Sequence, residues 1–209
     1  MQKQDRRVQR TDQLLRQALI DLSLERGYDS VTVQDITDRA NLGRATFYLH
    51  YKDKDQLLLS TLEAIVDDLL ERITPELKNM FMYGETSPIL TIFRHAQENR
   101  DLYRIILSGR AVVSVERRLR EFAAVNAQKI LLAFLRGKRS PMPIEIVAYH
   151  FANSLLGMID WWLENETTYS AEYMAQLFYE LSVTSVLRSL GLQLAVTEIK
   201  PTPPPGPSS

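Results

Sequence analysis

Apolar residues spaced three and four positions apart recur along almost the whole chain, and this spacing decides the fold class. In the segment 11–26, Leu15, Ala18, Leu19 and Leu22 occupy positions i, i+3, i+4 and i+7, which is one apolar face of a helix. The alternation of apolar and polar residues that is typical of strands is nearly absent. The sequence therefore predicts an all-α protein.

Composition excludes most classes of enzyme and metal site. The 209 residues include no cysteine and only three histidines, at positions 50, 95 and 150. A disulfide framework, a thiolate zinc site and a thiol nucleophile are excluded, and the scattered histidines predict no metal cluster. The sequence contains no glycine-rich phosphate loop, nucleophile elbow or carboxylate pair with a matching base. We expect no enzyme activity, no metal site and no cofactor.

The balance of charge argues against bulk electrostatic binding. The chain has 25 Lys and Arg against 26 Asp and Glu, a formal net charge of -1, so any nucleic-acid binding must come from a local arrangement. The N-terminal MQKQDRRVQR lacks the apolar run of a secretory signal. The longest stretch without a charged residue, 146–159, is shorter than the roughly 20 residues of a membrane span. We expect a cytoplasmic protein with no membrane partner.

Two short helices joined by a turn are predicted near the N-terminus. Thr32 begins the first helix and Asp35, three positions later, completes a sequence typical of a capping box. The turn contains Asn41 and Gly43, and the second helix runs from Arg44 to about residue 50. This layout over residues 32–51 predicts a helix-turn-helix, whose second helix enters the major groove of DNA.

Residue types on this motif suit contacts with DNA. The Arg44 guanidinium is able to bond guanine O6 and N7 together, which makes it the best candidate for reading a base. Thr32 lies where free amides and a helix dipole favour an anion, and a phosphate would explain a cation at Lys54, in the first turn of a helix. Tyr48 and His50 are able to donate to phosphate oxygens, and Gln34 is able to reach a base edge. The alternative is an all-α core that uses the same pattern only for packing.

Residues 31–58, VTVQDITDRANLGRATFYLHYKDKDQLL, resemble the N-terminal DNA-binding domain of TetR-type transcriptional regulators. The resemblance implies a homodimeric, ligand-responsive repressor, less often an activator, on a palindromic operator. It places Thr32, Thr46, Tyr48, His50 and Lys54 at phosphates, and Gln34, Arg44 and Ala45 near bases. Three residues differ from the common pattern: Asn41 replaces Gly, Gly43 replaces a capping Ser, and Tyr51 replaces Phe.

The predicted domains follow from this motif. We expect a basic arm at 1–7, the DNA-binding domain at 8–68, a helical ligand-sensing and dimerisation domain at 69–195, and a disordered proline-rich tail at 201–209. Helices predicted at 144–164 and 170–190 would form the dimer interface in this family. Their apolar stripes comprise Ile144, Val147, Phe151, Leu155, Met158 and Trp162 on the first, and Met174, Leu177, Phe178, Leu181 and Ser185 on the second. Packing inside one chain is the alternative for part of each stripe.

A small apolar or amphipathic effector is expected among the middle helices. The candidates form a mostly apolar wall with a few polar groups: Phe93, Tyr103, Leu107, Phe122, Asn126, Phe151, Met158 and Trp161. Core packing is the alternative for each of them.

Two further features leave alternatives open. Charge is segregated, with a net +6 over residues 110–139 and -5 over 145–188, which indicates either complementary solvated faces or a site for an anionic partner. The segment 93–107, FRHAQENRDLYRIIL, weakly resembles regulators of dihydroxyacetone kinase. That resemblance supports a second hypothesis, a co-regulator of the same fold that acts through a protein partner.

Overall fold

The computed structural model describes residues 2–83, 88–107, 113–165 and 169–192, with side chains from residue 8 and without those of 78–83. Within these ranges the structure contains helices and turns and no strand, so the all-α prediction is confirmed. The helices are α1 Gln2–Arg26, α2 Val33–Arg39, α3 Arg44–His50, α4 Lys54–Tyr83, α5 Pro88–Glu98, α6 Arg100–Leu107, α7 Val113–Leu135, α8 Ile144–Glu164, α9 Ala171–Phe178 and α10 Thr184–Ser189. The predicted tail at 201–209 lies outside the described residues.

The chain forms two compact units. The first comprises Met1–Asp67 and Asp101–Arg117. Its core is made of side chains from α1 to α4 and α6 that are almost completely inaccessible to solvent: Leu15, Leu19, Ile36, Phe47, Leu57, Leu58, Leu102, Ile105 and Ile106. The apolar face predicted for residues 11–26 is confirmed, because all four of its members are buried. Gly27 ends α1 with a φ of 83°, a left-handed backbone conformation that glycine adopts without steric cost.

The second unit comprises Asp68–Arg100 and Arg118–Ser209. Part of its core lies between α7, α8 and α10, where Leu131, Leu135, Ala148, Ala152 and Val186 pack together. Another part is a group of aromatic rings. The centroid of Phe93 lies 5.6 Å from that of Trp162 and 6.3 Å from that of Phe178, and Phe151 lies 5.3 Å from Phe178.

Two helices contain a feature that usually interrupts a regular α-helix. A proline usually ends or bends a helix, and α4 nevertheless continues through Pro75 to Tyr83. A proline removes one backbone hydrogen bond, and the apolar face that packs this helix continues to Ile73, which is buried. The single helix expected at 170–190 is divided by a π-helical segment, Tyr179–Val183. There the Thr184 hydroxyl donates to the Glu180 carbonyl at 2.7 Å, a contact that competes with regular helix geometry.

Five of the eleven residues in the stripes predicted for the dimer interface are buried inside their own chain. Val147, Leu155 and Trp162 on α8, and Met174 and Phe178 on α9, are buried in the second unit. The alternative of intramolecular packing therefore holds for these five side chains. In the described part of the chain, no helix is both long enough and apolar enough to cross a membrane.

Candidate nucleic-acid interface

The capping box predicted at the start of α2 is present. The Asp35 amide donates to the Thr32 hydroxyl at 3.2 Å, and the Thr32 amide donates to the Asp35 carboxylate at 2.9 Å. Arg26 on α1 contacts the same carboxylate at 2.7 Å, and this guanidinium together with Thr32 holds the pKa of Asp35 well below its usual range. The charged carboxylate thus fixes both the start of α2 and its position against the end of α1.

The turn predicted between α2 and α3 is present, with one residue in the left-handed region. Asn41 has a φ of 53°, in the left-handed region that asparagine tolerates. The Leu42 amide then donates to the Thr37 carbonyl at 2.9 Å and closes the end of α2. Gly43 precedes α3 and has no side chain, so it cannot cap the first amides of this helix with a side-chain oxygen.

Phe47 anchors α3 by its inner face. Its side chain has no solvent exposure, and its ring lies 5.9 Å from that of Tyr51, directly after the helix. The opposite face of α3 is exposed: Arg44, Ala45, Tyr48 and Leu49, with Tyr48 at 50% and Leu49 at 84%. The helix therefore presents one arginine, one hydroxyl and two small or apolar side chains to solvent.

The Arg44 side chain contacts its neighbour one turn later on α3. Its Nη2 donates to the Tyr48 hydroxyl at 3.4 Å, and its guanidinium carbon lies 5.8 Å from the centre of the Tyr48 ring. The contact leaves most guanidinium donors available for another partner, because Arg has five N–H groups.

The other residues predicted to contact DNA differ in how exposed their side chains are. Thr32 and Gln34 are exposed, and Gln34 donates to Asp38 at 2.7 Å. Thr46 and His50 are half-buried. These residues, with Arg44, Ala45 and Tyr48, belong to two consecutive short helices of the first unit, so the structure brings seven of the eight predicted residues onto α2, its cap and α3.

Lys54, the eighth residue, has partners that the sequence did not predict. Its ammonium donates to the carbonyl oxygens of Tyr28, Asp29 and Val31 at 2.9, 3.2 and 2.9 Å, and lies 4.5 Å from the centre of the Tyr28 ring. The Tyr28 hydroxyl donates to Asp55 at 2.5 Å. A phosphate is therefore not needed to explain a cation at the start of α4: Lys54 joins α4 to the short helical turn Tyr28–Ser30.

We expect the substitution Lys54→Met to lower the free energy of unfolding by about 2 kcal/mol, because three carbonyl oxygens lose a charged donor. Urea denaturation followed by circular dichroism measures this. Lys52→Met is the matched control, since Lys52 is exposed, and it should have little effect. Equal stability of both variants, with a smaller salt dependence of DNA binding for Lys54→Met, would instead assign Lys54 to a phosphate.

The predicted effector residues are divided between the two units. Tyr103 and Leu107 are buried in the first unit, where burial raises the pKa of Tyr103. The other six belong to the second, where Phe93 and Phe151 join the aromatic core. Phe122 and Trp161 are exposed, Asn126 donates to the Phe122 carbonyl at 2.9 Å, and Met158 is half-buried. Core packing thus accounts for Phe93, whereas Phe122 and Trp161 are open to a partner.

A cavity that the sequence did not predict lies in the first unit. It has a volume of about 540 Å³ and is lined by Asp12, Arg16, His50, Tyr51, Gln56, Leu59, Ser60 and Glu63. Among the described residues there is no group of three His, Asp or Glu side chains arranged to hold a metal ion.

Comparison with known proteins agrees with this architecture. The family described as bacterial regulatory proteins of the tetR family matches residues 15–61, and the family described as the C-terminal region of transcriptional regulators matches residues 86–183. The first match contains α2, the turn and α3, and the second contains α5 to α9.

Three individual proteins illustrate the similarity. The HTH-type transcriptional regulator YxbF of Bacillus subtilis is 26% identical over 84% of this chain, which spans 45% of the length of YxbF. The HTH-type dhaKLM operon transcriptional activator DhaS of Lactococcus lactis is 22% identical over 90% of this chain and 86% of its own length. The crystal structure of the transcriptional regulator FadR from Bacillus subtilis in complex with stearoyl-CoA has a TM-score of 0.67 at 16% identity, covering 82% of this chain and 97% of FadR.

These matched families and relatives are transcriptional regulators and not enzymes. The first unit contains a helix-turn-helix, and the two matched families together cover parts of both units. The chain therefore belongs to the tetR family of bacterial regulatory proteins.

Proposed function

We propose that this chain is a homodimeric transcriptional regulator that binds a palindromic operator through α3. The observation that carries the proposal is the exposed face of α3, where Arg44 contacts Tyr48, on a helix whose inner side chain, Phe47, is completely buried. A duplex major groove admits a helix of this width. The binding of full-length protein to selected duplexes should weaken steeply with salt, whereas a protein that acts without DNA contact would show no such binding.

Each contact residue has a proposed role. Arg44 reads a base edge, with Ala45 and Gln34 close to neighbouring bases, and Thr32, Thr46, Tyr48, His50 and Lys54 contact phosphates. Exposure supports the roles of Arg44, Ala45, Gln34, Thr32 and Tyr48. The carbonyl contacts of Lys54 favour a structural role in addition to any phosphate contact. We place the DNA-binding domain at 8–68, after a basic arm at 1–7, and the sensing and dimerisation domain at 69–195.

The homodimer is supported by an apolar face that α8 leaves exposed. Ile146, Tyr149 and Trp161 are 64%, 59% and 49% exposed, and with Gly157 they fall on one side of the helix. Leu181, in the segment after α9, is 61% exposed. Large exposed apolar side chains that share a face are typical of interaction surfaces, and a second copy presents the same face in a two-fold dimer.

We expect Ile146→Glu to shift the protein from dimer to monomer, because a carboxylate would be buried against the apolar face of the partner. Analytical ultracentrifugation over a concentration series measures this. Leu132→Glu is the matched control. Leu132 is an apolar residue of the same size as Ile146 and is also exposed, at 48%, but it lies on α7. A dimer that survives Ile146→Glu and dissociates with Leu132→Glu would place the interface on α7 instead.

We further propose that the regulator represses transcription until a small apolar or amphipathic effector binds the second domain. Support comes from the exposed Phe122 and Trp161 and from FadR, a structural neighbour whose crystal structure contains stearoyl-CoA. Thermal denaturation with stearoyl-CoA, and with coenzyme A alone as the control, tests this class of ligand. Stabilisation by stearoyl-CoA alone supports an acyl-binding site; stabilisation by neither contradicts it.

The similarity to DhaS favours a second candidate function, that of a co-regulator acting through a protein partner. The similarity to DhaS extends over most of both chains, and DhaS is named as an activator. A co-regulator of this fold would act through a protein partner on the second unit. Transcription from an operator-bearing promoter with purified polymerase separates the two: a repressor lowers transcript yield on its own, whereas a co-regulator leaves it unchanged until its protein partner is added. Both candidates would act at operator DNA, and we therefore propose that the protein is located in the cytoplasm.

A further inference from the structure

The hydroxyl group of Tyr51 connects the end of α3 to α1. Tyr51 follows α3 directly; the residue is 7% exposed, and its ring packs against that of Phe47. Its hydroxyl donates to the Oδ1 atom of Asp12 on α1. A phenylalanine would fill the same space without this bond, so the hydroxyl adds a polar contact to a position that packing alone already holds.

Asp12 extends the contact to a third helix. Its second oxygen, Oδ2, lies 2.8 Å from Nε of Arg16, one turn later on α1. The Nη2 atom of Arg16 donates to the hydroxyl of Ser60 on α4 at 3.2 Å. We call Tyr51, Asp12, Arg16 and Ser60 the polar relay. The side chains of Asp12 and Arg16 are only 25% and 23% exposed, so water screens their attraction less than it screens an ion pair at the surface.

The polar relay lines the cavity of about 540 Å³, together with His50, Gln56, Leu59 and Glu63. The two hydrogen bonds of the relay, Tyr51 to Asp12 and Arg16 to Ser60, have a preferred direction, so they add orientation to a position that packing against Phe47 already holds. His50, the last residue of α3, lines the same cavity and is half-buried.

We propose that the polar relay is a positioning device: it fixes the C-terminal end of α3, and with it His50, against α1 and α4 and thereby sets operator affinity. The inference rests on the proposed binding of DNA by α3, and it adds residues that do not themselves touch DNA. Asp12, Arg16 and Ser60 act through Tyr51, and Tyr51 acts through the position of His50.

The first test needs no DNA. In Tyr51→Phe and Asp12→Asn, hydrogen exchange of the amides of residues 49–51 should accelerate about tenfold, the effect of losing one hydrogen bond to a charged group. Amides of α8 should be unchanged. The matched control is Asp21→Asn, because Asp21 lies on the same helix and its carboxylate accepts from Gln17 at 2.8 Å. Unchanged exchange at residues 49–51 in both relay variants would overturn the proposal.

The second test is a double-mutant cycle on operator binding, measured by fluorescence anisotropy. Tyr51→Phe and Asp12→Asn should each weaken binding about tenfold, and the double variant should be no weaker than the worse single variant, because both break one relay. His50→Ala should lose less affinity in the Tyr51→Phe background than in the wild type. Additive losses, or full affinity of Tyr51→Phe, would overturn the relay. If the wild type binds no duplex, the proposed function fails, and the hydrogen-exchange test still decides whether the relay fixes α3.

Discussion

Replacing Phe47 by alanine is expected to lower the free energy of unfolding by about 3–5 kcal/mol, the usual range for a buried phenylalanine. Its side chain has no solvent exposure and contacts the rings of Tyr48 and Tyr51, at 5.5 and 5.9 Å between centroids. Removal of the ring leaves a cavity directly behind the face of α3. Hydrogen exchange of the α2 and α3 amides should report local unfolding, and operator binding should be lost with it.

Leu49→Ala is the control for this prediction. Leu49 is two residues away on the same short helix, but it is 84% exposed, so its truncation removes little buried surface. We expect a change in unfolding free energy within about 0.5 kcal/mol, as for ordinary surface positions. If Leu49→Ala destabilised the protein as much as Phe47→Ala, the assignment of inner and outer faces of α3 would be wrong.

Replacing Arg44 by alanine is expected to remove base discrimination at one position of each operator half-site. A bidentate contact from arginine to guanine contributes about 1–3 kcal/mol of discrimination against the wrong base. The ratio of affinities for the preferred and the substituted duplex should therefore fall by roughly 5- to 150-fold. Anisotropy titrations with a set of duplexes that differ at single positions measure this ratio.

Arg39→Ala is the matched control, because Arg39 is also an exposed arginine of the helix-turn-helix. Its guanidinium makes two bonds to Glu25 at 2.8 and 2.6 Å, which also hold the pKa of Glu25 below its usual value. We expect this variant to keep the order of preference among duplexes. If Arg44→Ala weakened binding to every duplex equally, Arg44 would contact phosphates and not bases.

The local structure of the helix-turn-helix could be predicted because short-range rules decide it. The capping box of Thr32 and Asp35, the left-handed backbone at Asn41 and the buried face of α1 each depend on residues within seven positions of one another. The same spacing rules predicted the start and end of α3 and α8. The resemblance of residues 31–58 to a known family then indicated the function, which is DNA binding by a transcriptional regulator.

Contacts between distant residues could not be predicted in this way. Lys54 meets the carbonyl of Tyr28 26 positions earlier, and Tyr51 meets Asp12 39 positions earlier, so neither contact follows from local spacing. Composition also does not distinguish a buried aromatic such as Phe93 from an exposed one such as Trp161, because both lie on amphipathic helices. Local spacing therefore predicted the exposed face of α3, whereas it did not predict which of the proposed effector residues are buried.

Selection of bound duplexes from a random pool, with the full-length protein, tests the central proposal most directly. We expect an enriched inverted repeat whose half-sites are about 10 base pairs apart, centre to centre, or a small multiple of that distance, as a two-fold dimer of helix-turn-helix units requires. The same selection with Arg44→Ala should recover the repeat with one relaxed position in each half-site. Recovery of no enriched sequence, or of a single site without two-fold symmetry, would contradict a homodimer that reads DNA through α3.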